Sequence, residues 1–543
     1  MELEPPPPLG AGIPGAASGR SGSSALRAAV HAFGLAEVLD EHSRRWPGRV
    51  AMVDGDTRVG FPEMAERVRR LAAGFEAAGV APGERVLWLG QNSFRLLETL
   101  LACARLGAMC CPANWRASTS ETAFVIDDLT PRVIVWQVEE VGERVTEARS
   151  IASTSGAATW ICHDRDDTGD PSYEAFLAAA PDSASEVVSD PDASLLLLYT
   201  AAFSGRPAAA MLSHRALLTQ SLMWLAIGDV DERFVFLNCG AMFHIANWWW
   251  TLAAFIAGGT NVFTRRVDAD ELCRLIDAER CTAAHVLGPT FDQLLEARER
   301  GGYDLSSFRT SPGGAEWAGV TAEDRSPWGR RPGGYGQTEL VGMVTWSVYG
   351  REALGLHGRT SPMMQVRVVD PDGLELPVGA LGEIVARGPL VMNGYWNRPD
   401  ETAHRFRGGW HHTNDLGRRE ADGSITFVGP ATRMIKSAAE NIYPIEVEQC
   451  IADHPAVREC AVIGVPDDTW VQSVKAIVVL EDGAAATADE IVEHCRSRLA
   501  SYKKPRSVEF VDTLPRQGFA VDYEALDAQF GGGGYPGGST RSA

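Results

Sequence analysis

The chain has 543 residues, long for one compact core, so length alone favours two or more domains. Its 45% apolar and 22% charged residues are those of a globular protein. A net charge of -21 with no long run of Lys or Arg excludes nucleic acid and anionic membrane surfaces as partners. No stretch reaches the ~18 apolar residues of a membrane span, and the balance fits a soluble, cytoplasmic protein acting on a small molecule.

The first 25 residues, rich in Pro, Gly and Ser, have neither the basic start nor the apolar core of a signal peptide and read as a disordered leader. From residue 26 to 432 helix and strand alternate. Helical spacing covers 62–79, a buried strand 85–89, a second helix about 94–107 and a short run ends at Pro112. The pattern resumes with a strand at 195–199, a loop and a helix from about Ser213, and continues through 234–257, 270–288 and 365–370. These are βαβ units, predicting parallel sheets flanked by helices.

At about residue 433 the texture changes to short strands and two helices, predicting a small α+β domain over 433–530 joined by a hinge, followed by a Gly-rich tail over 531–543. The fold class is therefore α/β: a large N-terminal domain of helix-flanked mixed sheets and a small α+β C-terminal domain. Ten cysteines without a C-x-x-C pair read as reduced, buried thiols. Of the 50 basic residues four are lysine: Lys436, Lys475, Lys503 and Lys504.

Residues 198–214 join a strand to a helix, where backbone amides and a helix N-terminus can hold an anion. SPGGA follows at 311–315, GYGQTE at 334–339, GEI at 382–384, GP at 388–389, GYWNRP at 394–399, WHHTNDLG at 410–417 and DG at 422–423. In this order the set resembles the adenylate-forming superfamily of acyl-CoA synthetases, peptide-synthetase adenylation domains and luciferases, over residues 33–528. The resemblance implies a nucleotide site made by Thr200, Gly313, Gly314, Ala315, Tyr335, Gly336, Thr338, Asp415 and Lys436. Thr338 would contact phosphate, Glu339 would bind magnesium, Asp415 the ribose. It also implies an acyl pocket with His244, Asn247, Trp248 and Gly336, catalysis by Thr338, Glu339 and His244, and use of ATP or AMP, Mg2+, and CoA or a carrier-protein pantetheine. By helical spacing alone, the three tryptophans at 248–250 read as core, because neighbouring positions on a helix face different ways.

The pattern breaks where phosphate is handled. Ala201, Ala202 and Phe203 stand where hydroxyls and glycine are expected, and Ala208 stands for a lysine. Pro430 replaces a ribose-contacting arginine, Thr432 a hinge lysine, Ala438 and Ala439 a glycine pair, and Phe519 with Ala520 fall where Gly-Lys belongs. A genome rich in arginine codons turns Lys into Arg, not into Ala or Thr. Each lost transition-state donor costs about 3 to 4 kcal/mol, so ordinary adenylation is expected to be impaired. Three readings follow: an acyl-CoA ligase-like enzyme of bacterial secondary metabolism handling an acyl or aryl acid or its thioester; a divergent but active ligase joining acids to CoA, a carrier protein or an amine; and a non-catalytic partner of a biosynthetic enzyme.

Overall fold

The computed structural model describes residues 30–533, apart from 183, 186, 188, 201–206, 287, 289, 350–354, 432, 439, 518 and 519. The expected leader, most of the expected tail and the altered loop residues 201–203 lie outside the described residues.

Two mainly parallel sheets organise the N-terminal part. One has six strands in the order Thr159–Cys162, Val133–Trp136, Arg85–Leu89, Met109–Pro112, Ser194–Thr200 and Ala208–Ser213. The other has five: Ala283–Ala284, Val235–Asn238, Thr260–Phe263, Val50–Asp54 and Thr57–Gly60. The central strands are unbroken apolar runs, as burial on both faces demands. Helix Phe94–Leu106 is buried over most of its surface and contacts strands of both sheets, the position of a core helix. Ser93 caps its N-terminus and Gly107 ends it in the left-handed region.

The sequence reading placed a loop between residue 199 and the helix that begins near Ser213. Residues Ala208–Ser213 instead form an antiparallel edge strand on Ser194–Thr200, and the helix His214–Ile227 starts on a Ser213 cap. Ala and Met in that run carry no strand signal by themselves; the neighbouring strand decides it. Beyond residue 330 the parallel pattern gives way to two antiparallel sheets, Gly334–Gln337 with Gly342–Trp346 and Arg359–Thr360, then Gln365–Val369, Gly382–Arg387, His411–Arg419 and Ile425–Pro430.

From Ile435 onward the chain builds a separate sheet of Glu440–Ile442, Ile435–Ser437, Val471–Leu480, Val457–Asp467 and Ser507–Phe510. Alternation along its strands gives two apolar faces. Val462, Val474, Ala476 and Val478 pack beneath helices Pro444–Ala452 and Ala488–Arg496. Ala461, Ile463, Ile477 and Val479 pack against Leu514, Val521 and Leu526. No described helix is long and apolar enough to cross a membrane. Nine cysteines are buried and Cys460 is half-buried, all as free thiols.

Candidate active site

A cavity of about 1430 Å³ opens between the N-terminal sheets and the C-terminal sheet. One wall includes the hairpin of Gly334–Gln337 and Gly342–Trp346, bulged between Tyr335 and Gly336. Only glycine fits at 336, because a Cβ there would lie 1.7 Å from the Gly342 carbonyl oxygen.

The bulge turns Tyr335 toward Asp415. The Tyr335 hydroxyl donates to Asp415 Oδ2 at 2.7 Å, Gln337 Nε2 donates to the same oxygen at 3.2 Å, and the Tyr335 ring stacks on Phe427 with centroids 5.3 Å apart. Burial, with the charge of Glu339 nearby, pushes the Asp415 carboxyl up to about 7 against these hydrogen bonds. Glu339 is buried in the next turn of chain, and its Oε1 accepts from Tyr395 Oη at 2.8 Å. Thr338, Gly336 and Thr200 also line the cavity.

His244 is not on a helix. It is the residue before helix Ile245–Ala257, with an extended backbone, and its ring nitrogen Nε2 meets Glu440 Oε1 of the C-terminal sheet at 3.4 Å. Arg116 reaches the same carboxylate oxygen at 3.0 Å. Burial drives Glu440 upward, but the His244 contact and the Arg116 and Lys436 charges outweigh it and hold the carboxyl below its ordinary value. Lys436 faces the cavity with Nζ 2.8 Å from Asn441 Oδ1, and burial lowers its ammonium.

Four expected site residues lie elsewhere. Gly313, Gly314 and Ala315 are exposed and do not line the cavity. Gly313 and Gly314 have positive φ, so the loop needs glycine for its own turn. Trp248 does not line it either: it is fully buried, its Nε1 donating to the Met242 carbonyl at 2.6 Å. The tryptophan at the cavity is Trp249, one position and about 100° further round the helix. Asn247 does line it, with Nδ2 donating to Asn238 Oδ1 at 3.1 Å.

Several residues here escaped sequence reading. Lys503 Nζ sits 2.7 Å from both Glu121 and Glu446, bridging the two parts of the chain. Burial lowers the Lys503 ammonium, but the two carboxylates outweigh it and hold it above its usual range. Asn114 donates to Tyr502 Oη at 3.2 Å, and Ser118 Oγ to the Arg498 carbonyl at 2.8 Å. The signal for Lys503 was its rarity, one of four lysines; its partners lie hundreds of residues away and left none. Arg516–Gln517 pairs antiparallel with Ala520–Val521. Leu514 and Val521 pack on the sheet face opposite helices Pro444–Ala452 and Ala488–Arg496. No described residue from 504 to 533 lines the cavity.

The cavity brings together the phenol and carboxyl pair of Tyr335 and Asp415, the amide and indole of Asn247 and Trp249, and Ala438 and Glu440 of the C-terminal part. Residues 39–396 match the AMP-binding enzyme family and residues 446–518 the AMP-binding enzyme C-terminal domain. The chain belongs to that family, the adenylate-forming enzymes. It is 36% identical over 495 residues to a feruloyl-CoA synthase of an Amycolatopsis species, covering 89% of this chain and 96% of the relative. It is 33% identical over 498 residues to the indoleacetate–CoA ligase of Aromatoleum aromaticum, covering 89% and 95%. Among solved structures, the amide bond synthetase McbA of Marinactinospora thermotolerans superposes with a TM-score of 0.76 at 24% identity, covering 92% of this chain and all of the other, a likeness of fold. The chain is an acyl-CoA synthetase-like ligase.

Proposed function

We propose that this enzyme binds an aromatic carboxylic acid, or its CoA or carrier thioester, beside an adenosine moiety, and that ordinary ATP-dependent adenylation is slowed or lost, in bacterial secondary metabolism. The carrying observation is an asymmetry. The nucleoside wall of Tyr335, Gln337 and Asp415 is hydrogen-bonded in place, whereas Ala208 and Ala520 occupy the positions where the family's motifs carry cations. The aromatic preference is supported by two relatives at 33% and 36% identity whose names specify aromatic acids. His244, Thr338 and Glu339 are the catalytic candidates. A magnesium ion favours oxygen ligands and commonly takes one carboxylate beside substrate phosphates; Glu339, with Thr338 next to it on the wall, suits that role. The ion would supply charge neutralisation at the phosphates.

Calorimetry with AMP and ATP, paired with ATP–pyrophosphate exchange driven by ferulate, benzoate or indoleacetate, tests the reading. AMP is expected to bind and exchange to stay near background. Robust acid-dependent exchange sinks the impaired-adenylation claim and favours the second reading, a competent divergent ligase, for which Glu339 and Lys436 on the cavity wall are the supporting observation. Binding of neither nucleotide favours a non-catalytic partner of a biosynthetic enzyme.

A further inference from the structure

We infer that Trp249 is the residue that sets substrate length, closing the acyl pocket so that it takes flat aryl acids with short linkers and rejects long acyl chains. The inference rests on the proposed acyl-binding reading. Three contacts fix the indole. Its Nε1 donates to the Val341 carbonyl at 2.9 Å, its ring stacks on Trp224 at 5.7 Å and 24°, and it lies against Gly342, where a Cβ would be 2.1 Å from the ring. Gly342 has φ +99, so the site pairs a large ring with a residue that has no side chain. Behind the indole the protein is filled: Trp224 packs on Trp250 at 4.3 Å, on Trp328 at 4.9 Å and on Trp346 at 5.2 Å. A long chain would have to displace one of these rings from a close-packed cluster. His285 and Asn247 line the same cavity and form the wall along which a flat ring would lie. Asn247 is held by its bond to Asn238, whose Oδ1 also accepts from Thr251 Oγ1 at 2.5 Å, so this wall does not yield either.

The test uses non-reactive acyl-sulfamoyl adenosines, whose binding needs no turnover, measured by calorimetry on the full chain. The wild type is expected to bind the cinnamoyl compound at least about tenfold more tightly than the dodecanoyl one. Trp249→Ala should bring the dodecanoyl compound to within a few-fold of the cinnamoyl one, and Trp249→Phe, which keeps a ring but loses the bond to Val341, should fall between. Equal binding of both compounds by the wild type overturns the inference without any variant, and so does an unchanged preference in Trp249→Phe and Trp249→Ala; circular dichroism reports the folding of each. Tight AMP binding with no acyl compound bound overturns this inference alone. Loss of AMP binding too overturns the proposed function.

Discussion

Asp415 is a carboxyl whose environment opposes its charge. Burial raises it to about 7, whereas an unfolded aspartate titrates near 3.9. The folded chain therefore holds a proton there that the unfolded chain has released, and this group's contribution to stability falls as pH rises from about 4 to 7. Ribose hydroxyls donate hydrogen bonds, which the ionised form accepts. Adenosine affinity should accordingly climb between pH 6 and pH 8, by up to about tenfold per unit below pH 7, and the climb should vanish in Asp415→Asn. A flat pH profile in the wild type contradicts the assignment. Val471 offers a second test at this scale. It is β-branched at φ +72, a conformation that costs an L-residue roughly 1 to 2 kcal/mol, and it is half exposed, so little packing opposes a change. Val471→Gly or Val471→Asn should raise the denaturation midpoint, by an amount equivalent to about 1 kcal/mol.

Among the elements, the hairpin at 334–346 carries the proposed nucleoside wall because its bulge re-aims Tyr335, and the bulge needs a residue with no Cβ at 336. Gly336→Ala should cost at least about 2 kcal/mol of stability, measured by denaturant titration, since the Cβ meets backbone with no room to move. It should weaken adenosine binding in parallel through Tyr335. Helix Ile245–Ala257 shows the opposite dependence on detail. Its run of three tryptophans looks alike in sequence, yet Trp248 and Trp250 pack inward while Trp249 reaches the cavity. Helix Thr119–Leu129 spends one residue twice: Glu121 closes the capping box with Ser118 and also receives Lys503.

For the whole molecule, the orientation of the C-terminal sheet decides which chemistry can face the cavity. Lys436, Ala438 and Glu440 line it, and the sheet face covered by Leu514, Val521 and Leu526 is the opposite one. Lys503 between Glu121 and Glu446 is the main charged clasp. Removing it leaves the buried Glu446 carboxylate without its cation and takes from Glu121 its contact with the C-terminal part, a loss of about 3 to 5 kcal/mol for that interface. Lys503→Ala should enlarge the radius of gyration in small-angle scattering and speed proteolysis near residues 433–440. An unchanged scattering curve means the clasp is held by Arg116, Asn114 and Ser118 instead. Because the ammonium is buried, salt should affect the wild type little.

The sequence by itself determined the α/β class, the change of texture near residue 433, the ordered motifs and the absence of lysine at 208 and 520. These follow from residue type and local periodicity, which a chain carries whatever its tertiary partners. It placed Tyr335, Thr338, Glu339, Asp415, His244 and Lys436 among the site residues, and all six line one cavity. Tertiary structure alone decided that Gly313–Ala315 stay outside, that the pocket tryptophan is Trp249, and that Ala208–Ser213 is a strand. It alone joined Lys503 to Glu121 across 382 residues. The reason is physical: a helix face, an edge strand and a salt bridge are chosen by what packs against them, and those partners lie far along the chain.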